Sequence, residues 1–278
     1  MRRAPVLAAL LACALGAACA CGRSSQPAGK LSVQPKVIQL GYPQSVPLSV
    51  SWDAARALDR QGGRPRVFVH LLDRLERPRK LLRTYDYPLA NRWTAGQSQQ
   101  DTVDLYQSAL ADPLPPGRYV LTAGLYDSVG GERWPLDSGA PAIGKMEYEV
   151  AAVEVAGPDP SMPKFEFAGN WLPAEPLNSR QILTRRCLAG PATLAASGAG
   201  SRGSVRLLVS DPPNGPAEVR AASSCETGRT ETISAGQKWL DFAIAAGARC
   251  EITLEPAPAP PSRPPACLDV LAWRPAAK

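Results

Sequence analysis

The chain has a single histidine, His70, only 6% aromatic residues, and almost no helical periodicity among its apolar positions. Each scarcity removes a class of function. A Ser-His-Asp or Cys-His centre needs a histidine within reach of its nucleophile, yet His70 sits in the middle of an alternating run with no G-x-S-x-G motif beside it. No glycine-rich loop leads into a helix, which argues against nucleotide chemistry. The cysteines show no C-x-x-C spacing, the usual signature of a four-cysteine zinc site. No apolar run approaches the about 20 residues that a membrane-spanning helix requires. Charge is nearly balanced, at a net +6. The one basic cluster, Arg74, Arg77, Arg79, Lys80 and Arg83, reads as a solvated strand edge and not as a nucleic-acid surface. Asp86, Asp101, Asp104, Glu166 and Glu175 could supply paired carboxylates for glycoside hydrolysis, but no local pattern selects two of them. The expectation is a non-enzymatic protein without cofactor or metal.

What is present begins with Met1-Arg2-Arg3, an apolar stretch over residues 6–15, and the small residues Gly16, Ala17 and Ala18. That is the pattern of a secretory signal. Leu15-Gly16-Ala17-Ala18-Cys19 resembles the lipobox of bacterial lipoproteins, which implies cleavage before Cys19 and acylation of its thiol. The leucine stands four residues before the cysteine, where three is usual. Leu10-Leu11-Ala12-Cys13 has the usual spacing but leaves an apolar region of only about nine residues. Cys19 is therefore taken ahead of Cys13, with Cys21 as a further candidate. The expected layout is a signal peptide at 1–18 and a polar tether at 19–30. A lipid anchor would place the protein in the cell envelope. Ala20 and Cys21 offer no aspartate of the kind that retains lipoproteins at the inner membrane, so the outer membrane is preferred.

The remaining length suffices for two domains. Short alternating segments separated by proline and glycine turns run along all of it, the signature of an all-β sandwich. The 29 prolines fit, since proline breaks helices and is confined to the edges and turns of sheets. Val46, Leu48, Val50 and Trp52 share a face, as do Val67, Val69 and Leu71, and then Tyr119, Leu121, Ala123 and Leu125. Val67-Phe68-Val69-His70-Leu71-Leu72-Asp73, Trp93 with Gly96, Leu114-Pro115-Pro116-Gly117-Arg118-Tyr119, Gly124-Leu125-Tyr126-Asp127 and Gly131-Glu132-Arg133 form one ordered series. The series resembles an immunoglobulin-like module appended to bacterial membrane proteins related to glycosyltransferases. The resemblance covers about residues 31–155 and implies a non-catalytic accessory domain. It departs from that family at residues 74–79, where a glycine-containing turn is usual, and at Gln97, where an acidic residue is.

The first sandwich is thus expected over 31–156, a linker over 157–163, and a second, jelly-roll-like sandwich over 164–278. Strands are expected in the second at 180–187, 192–196, 204–210, 217–223, 238–246, 250–254 and 267–273, with Gly190-Pro191 as a joint between the first two. Cys187, Cys225, Cys250 and Cys267 all fall there. In an oxidising compartment an even number suggests disulfides, and spacing alone leaves three pairings open. The preferred set is Cys225 with Cys250 and Cys187 with Cys267, the latter joining the first and last long strands of one sandwich.

Two functional readings remain. In the first, the chain is an envelope scaffold, anchored by its lipid, that presents two sandwiches to a protein partner. In the second, it binds a glycan on exposed aromatic rings. Trp171, Asn170, Glu175 and Trp239 would form that site, and Trp93 and Trp134 are further rings to inspect. Asp127 and Glu132 lack the ligand spacing of a calcium loop.

Overall fold

The computed structural model describes residues 26–58, 65–74, 78–89, 91–177, 184–211, 218–226, 230–234, 236–257 and 266–276. The signal peptide and Cys19 lie outside them. No described residue is helical, so no helix is long and apolar enough to cross a membrane. The chain is all-β and folds as two sandwiches.

The first contains β1 (Gly29–Gln34), β2 (Val37–Leu40), β3 (Ser45–Ala54), β4 (Pro65–Leu72), β5 (Leu81–Thr84), β6 (Tyr87–Pro88), β7 (Ser98–Tyr106), β8 (Gly117–Asp127), β9 (Arg133–Trp134), β10 (Leu136–Asp137), β11 (Ala142–Gly144) and β12 (Glu147–Val155). Its smaller sheet runs β10-β1-β3-β7, and its larger one runs β11-β12-β8-β4-β5. The chain crosses between the sheets almost at once. β1 pairs antiparallel with β3, whereas β2 pairs parallel with β12 in the opposite layer. Period-2 alternation drives the packing, because successive side chains point to opposite faces of a strand. Leu48, Val50 and Trp52 from one layer meet Val67, Val69, Leu71, Leu121 and Leu125 from the other, all essentially without exposure. Trp52 and Trp93 close the core edge to face, with ring centroids 6.0 Å apart.

The second sandwich contains β13 (Lys164–Trp171), β14 (Glu175–Pro176), β15 (Thr184–Ser197), β16 (Gly203–Asp211), β17 (Glu218–Ser223), β18 (Thr230–Ser234), β19 (Gly236–Ile244), β20 (Cys250–Pro256) and β21 (Cys267–Pro275). Gly190-Pro191 is not a break between two strands. β15 continues through it and changes layer, pairing with β21 at Arg186 and Cys187 and with β20 from Ala192 to Ala196. The strand order β18-β17-β20-β15-β21-β16-β19 is therefore one sheet folded over on itself. Proline fits at the corner because the strand there has left one ladder and not yet entered the next. β18 was not anticipated from the sequence at all.

Both disulfides have the expected partners, Cys187 with Cys267 and Cys225 with Cys250. The first ties the two strands that separate at the corner, since Cys187 and Cys267 face each other across the β15–β21 ladder.

The bridges close loops of different length, with sequence separations of 80 and 25 residues. The loop-closure model assigns about 4.5 kcal/mol to the longer and about 3.5 kcal/mol to the shorter. Serine replacement of the Cys187/Cys267 pair is expected to lower the denaturant midpoint more than replacement of Cys225/Cys250. The reverse order would mean that native-state contacts, and not chain entropy, set the contribution of each bridge.

Candidate functional site

Two places concentrate polar side chains against buried surface, and the first lies where the sandwiches meet. When β15 leaves for the other layer, the flank of β21 beyond Leu268 has no strand beside it. The first sandwich fills that gap. Trp273 N donates to Pro43 O at 2.7 Å, Ala109 N donates to Leu271 O at 2.7 Å, and Leu271 N donates to Ser108 Oγ at 3.1 Å. A parallel bridge joins Gln44 to Trp273. β21 is consequently buried on both faces. A register shift leaves Asp269 as an extra residue opposite β16. Leu268, Leu271 and Trp273 face the second core, and Val270 and Ala272 belong to the first.

Charge is buried at the same junction. Arg206, 4% exposed, projects from the outer face of β16. Its guanidinium pairs with Asp104 of the first sandwich at 2.5 Å, donates to Ser45 Oγ at 3.2 Å, and also pairs with Asp241. It lies over the Trp239 ring, 4.6 Å from the centroid. Asp104 takes a second cation, Arg274. Burial would favour a neutral Arg206, but the hydrogen bonds and charges of Asp241 and Asp104 outweigh it and raise its pKa further. Burial lowers that of Arg274.

The second place is the outer face of the larger sheet in the first sandwich. His70 from β4, Thr122 from β8 and Glu147 from β12 stand on neighbouring strands, and Arg133 from β9 leans over them. Glu147 is held by three donors: Thr122 Oγ1 at 2.6 Å, His70 Nδ1 at 3.1 Å and Arg133 at 3.0 Å. His70 Nε2 faces Asp86 Oδ1 at 3.7 Å. Phe68 fills the space beneath, with His70 at 4.8 Å and the Arg133 guanidinium at 4.2 Å from its ring. Gly124 permits this, because a Cβ there would collide with the Phe68 ring. Leu72, Pro78, Arg79, Leu81 and Ile143 complete a groove of about 660 Å³. Burial alone would raise the Glu147 pKa, but the hydrogen bonds from His70, Thr122 and Arg133 hold it at about 2. Among the described residues, no group of three or more His, Cys, Asp or Glu side chains is placed to hold a metal ion.

The residues singled out in the sequence do not converge on one site. Trp171, expected from its place between Gly169 and Pro173 to lie in a loop, instead ends strand β13. Gly169, at φ 86°, stands at an irregularity of the ladder: Gly169 pairs with Ala192 and Trp171 with Leu188, so Asn170 stands opposite the three residues 189–191 of β15. The Trp171 Nε1 donates to Thr193 O at 3.0 Å, and its half-buried ring stands edge-on to Phe167 at 5.3 Å. Asn170 is exposed and donates to Pro191 O. Glu175 is exposed and pairs with Arg185 at 2.8 Å. Trp239 lies elsewhere, edge-on to Tyr106 of the first sandwich at 5.8 Å. Trp93 and Trp134 are each 3% exposed and belong to the first core. Of the carboxylates weighed for hydrolysis, Asp104 is taken up by the junction. Asp101 accepts from Trp52 Nε1 at 3.1 Å and Tyr87 OH at 3.3 Å.

No family model and no curated protein matches the chain. Among solved structures it is similar to a β-glucosidase from Listeria innocua in complex with gluconolactone, at 16% identity over 46% of this chain and 16% of that one, with a TM-score of 0.25. It is also similar to the secreted serine protease VesC from Vibrio cholerae, at 8% identity over 88% of this chain and 50% of that one, with a TM-score of 0.25. A third is the Pseudomonas fluorescens alkylpurine DNA glycosylase AlkC bound to DNA containing an abasic site analogue, at 18% identity over 45% and 31%, with a TM-score of 0.20. The chain spans half or less of each of these proteins, and likenesses this low carry no argument about activity.

The Glu147 cluster has a signature in pH. A carboxyl held at about 2 against an ordinary 4.5 contributes stability that is present above 4.5 and is lost as pH falls from 4.5 towards 2. Thermal unfolding followed across that window is expected to show a steeper loss in the wild type than in Glu147→Gln, and the variant is expected to be the less stable at neutral pH. Identical slopes would show that the carboxylate contributes nothing through its ionisation.

Proposed function

We propose that the chain is a non-enzymatic cell-envelope lipoprotein, anchored through Cys19, whose two sandwiches act as one rigid scaffold for a partner protein. The observation that carries this reading is the junction. A flexible pair of modules would leave the flank of β21 to solvent, whereas here two backbone–backbone hydrogen bonds, a third from Leu271 N to the Ser108 hydroxyl, and a buried arginine fix its neighbour. Rigidity matters for a scaffold because a fixed angle between modules lowers the entropy lost when both engage a partner. The polar tether expected after Cys19 and the approximate balance of charge support the same reading. No specific observation favours a sugar platform in the second sandwich, since Trp171 and Trp239 are both committed to protein contacts.

Removing one partner of a buried ion pair typically costs about 3–5 kcal/mol, because the other charge is left uncompensated. Arg206→Ala is expected to lose stability of that order and to split a single unfolding transition into two. In cells, a photocrosslinking residue at Val37, Val129 or Leu172, the exposed large apolar positions, is expected to yield one defined envelope adduct that weakens in the Arg206→Ala background. Mass spectrometry of the mature N-terminus is expected to find Cys19 acylated. An unmodified N-terminus, or no adduct from any of the three positions, would overturn the proposal.

A further inference from the structure

The first sandwich receives the chain, coming from the side of Cys19, at the end farthest from the junction. Ala28 is fully buried there, its N donating to Pro135 O at 2.7 Å and its O accepting from Ala55 N at 2.9 Å and Arg56 N at 3.3 Å. The path from Cys19 therefore ends at a fixed point of the fold. Ala28 lies nine residues after Cys19, a length that spans at most about 32 Å even when fully extended. Other strands begin or end beside it. β3 ends with Ala54 opposite Gly29, β7 begins with Ser98 opposite Asp53, and β4 begins with Pro65 opposite Asp127, the last residue of β8. Residues 128–132 thus form a loop at this same end. Its tip is Val129, 78% exposed and the most exposed large apolar side chain among the described residues. Asp127 holds the loop in shape, accepting from Val129 N at 2.9 Å through Oδ1 and from Gly131 N at 2.8 Å through its backbone O. One exposed valine is ordinary on a protein surface. Its place on the tethered end is what gives it meaning, because the opposite end is covered by the second sandwich.

We propose that the Gly29 end of the first sandwich lies against the phospholipid surface into which the acyl chains of Cys19 insert, with Val129 seated among the headgroups. This orientation rests on the lipid anchor assigned above. The short connection keeps this end nearest the bilayer, and seating Val129 there removes apolar surface from water. Attraction between opposite charges is not the cause. Lys30, Arg56 and Arg92 are exposed at this end, but so are Asp53, Glu132 and Asp137, and a surface of mixed sign is not drawn to anionic lipid in particular. The consequence concerns the partner. With this end on the membrane, the second sandwich points away from it, and Val37 and Leu172 remain open to a protein partner.

The lipidated full chain is reconstituted into vesicles of phosphatidylethanolamine and phosphatidylglycerol that carry a nitroxide quencher on a fraction of their headgroups. A fluorescent amino acid replaces Val129, Thr94 or Leu172, one at a time; Thr94 is exposed at the Gly29 end, and Leu172 is exposed on the second sandwich. Flotation of the vesicles first establishes whether the chain is anchored, and quenching is then read on the floated fraction. The chain is expected to float, and emission from Val129 and Thr94 is expected to be quenched several-fold more than emission from Leu172, in low and high salt alike. Equal quenching at the three positions, or the strongest at Leu172, in a chain that floats would overturn the orientation and leave the anchor standing. A chain that does not float would overturn the anchor and the orientation with it.

Discussion

The structure depends on what happens to the flank of β21 once β15 turns away from it. A strand edge buried without partners is costly, since each unmatched backbone group forfeits its hydrogen bonds to water. The turn at Gly190-Pro191 closes the second sandwich, but it strips β21 of a neighbour from about residue 269 onward. Residues 43–44 and 108–109 of the first sandwich occupy the vacated side. The second sandwich is therefore completed by the first, and the orientation between them follows from backbone hydrogen bonding and not from a loose apolar contact. Exposed edges also invite pairing with other chains, a hazard that the same arrangement removes.

The buried charges make sense once that contact exists. Arg206 on an outward face would ordinarily extend into water, but the approach of the first sandwich covers it. Desolvating a guanidinium is offset only when its donors are matched, and Asp104, Asp241 and Ser45 supply acceptors on several sides. Trp239 beneath it adds a cation–π contact and fills space against Tyr106. Such a network contributes less through its net energy than through its intolerance of misalignment. A small slip between the sandwiches would leave Asp104 facing neither Arg206 nor Arg274.

Much of this was legible in the sequence, and the limits have a physical cause. Alternation identifies which side of a strand faces a core, so Val67, Val69, Leu71 and the run from Tyr119 to Leu125 were placed correctly. A bridge joining the first and last long strands accounts for one disulfide, and Cys187 does face Cys267. Alternation is silent, however, about what covers the other side. Nothing in the alternation marks Val270 and Ala272 as packing into the first core, or Arg206 as 4% exposed. Gly190-Pro191 carries turn chemistry, and nothing local distinguishes a break from a change of layer. The irregular ladder at Gly169 disguised Trp171 as a loop residue for a similar reason: glycine marks an irregularity without saying whether the strand resumes. The sequence places His70 in the middle of an alternating run, but its partner Glu147 lies 77 residues away and is not paired with it by spacing.

The two ends of the first sandwich consequently depend on different contacts. β3 runs from Ser45, which touches Arg206, to Ala54, which packs in the first core with Trp93. Ten residues of extended strand set these about 30 Å apart. β1 enters at the Ala54 end, where Gly29 packs so closely under the Trp93 ring that a Cβ there would clash with it. The chain thus comes in from its N-terminal side far from the junction and reaches it only after traversing the core. β1 flanks β3 only from Ser49 to Ala54, whereas β7 flanks it from Ser45 to Asp53, so the junction end of β3 relies on fewer strand neighbours than the Trp93 end. Substitutions at Gly29 and substitutions at Arg206 share no partner over that distance; one disturbs core packing at one pole and the other the inter-sandwich geometry at the opposite pole, and their effects add.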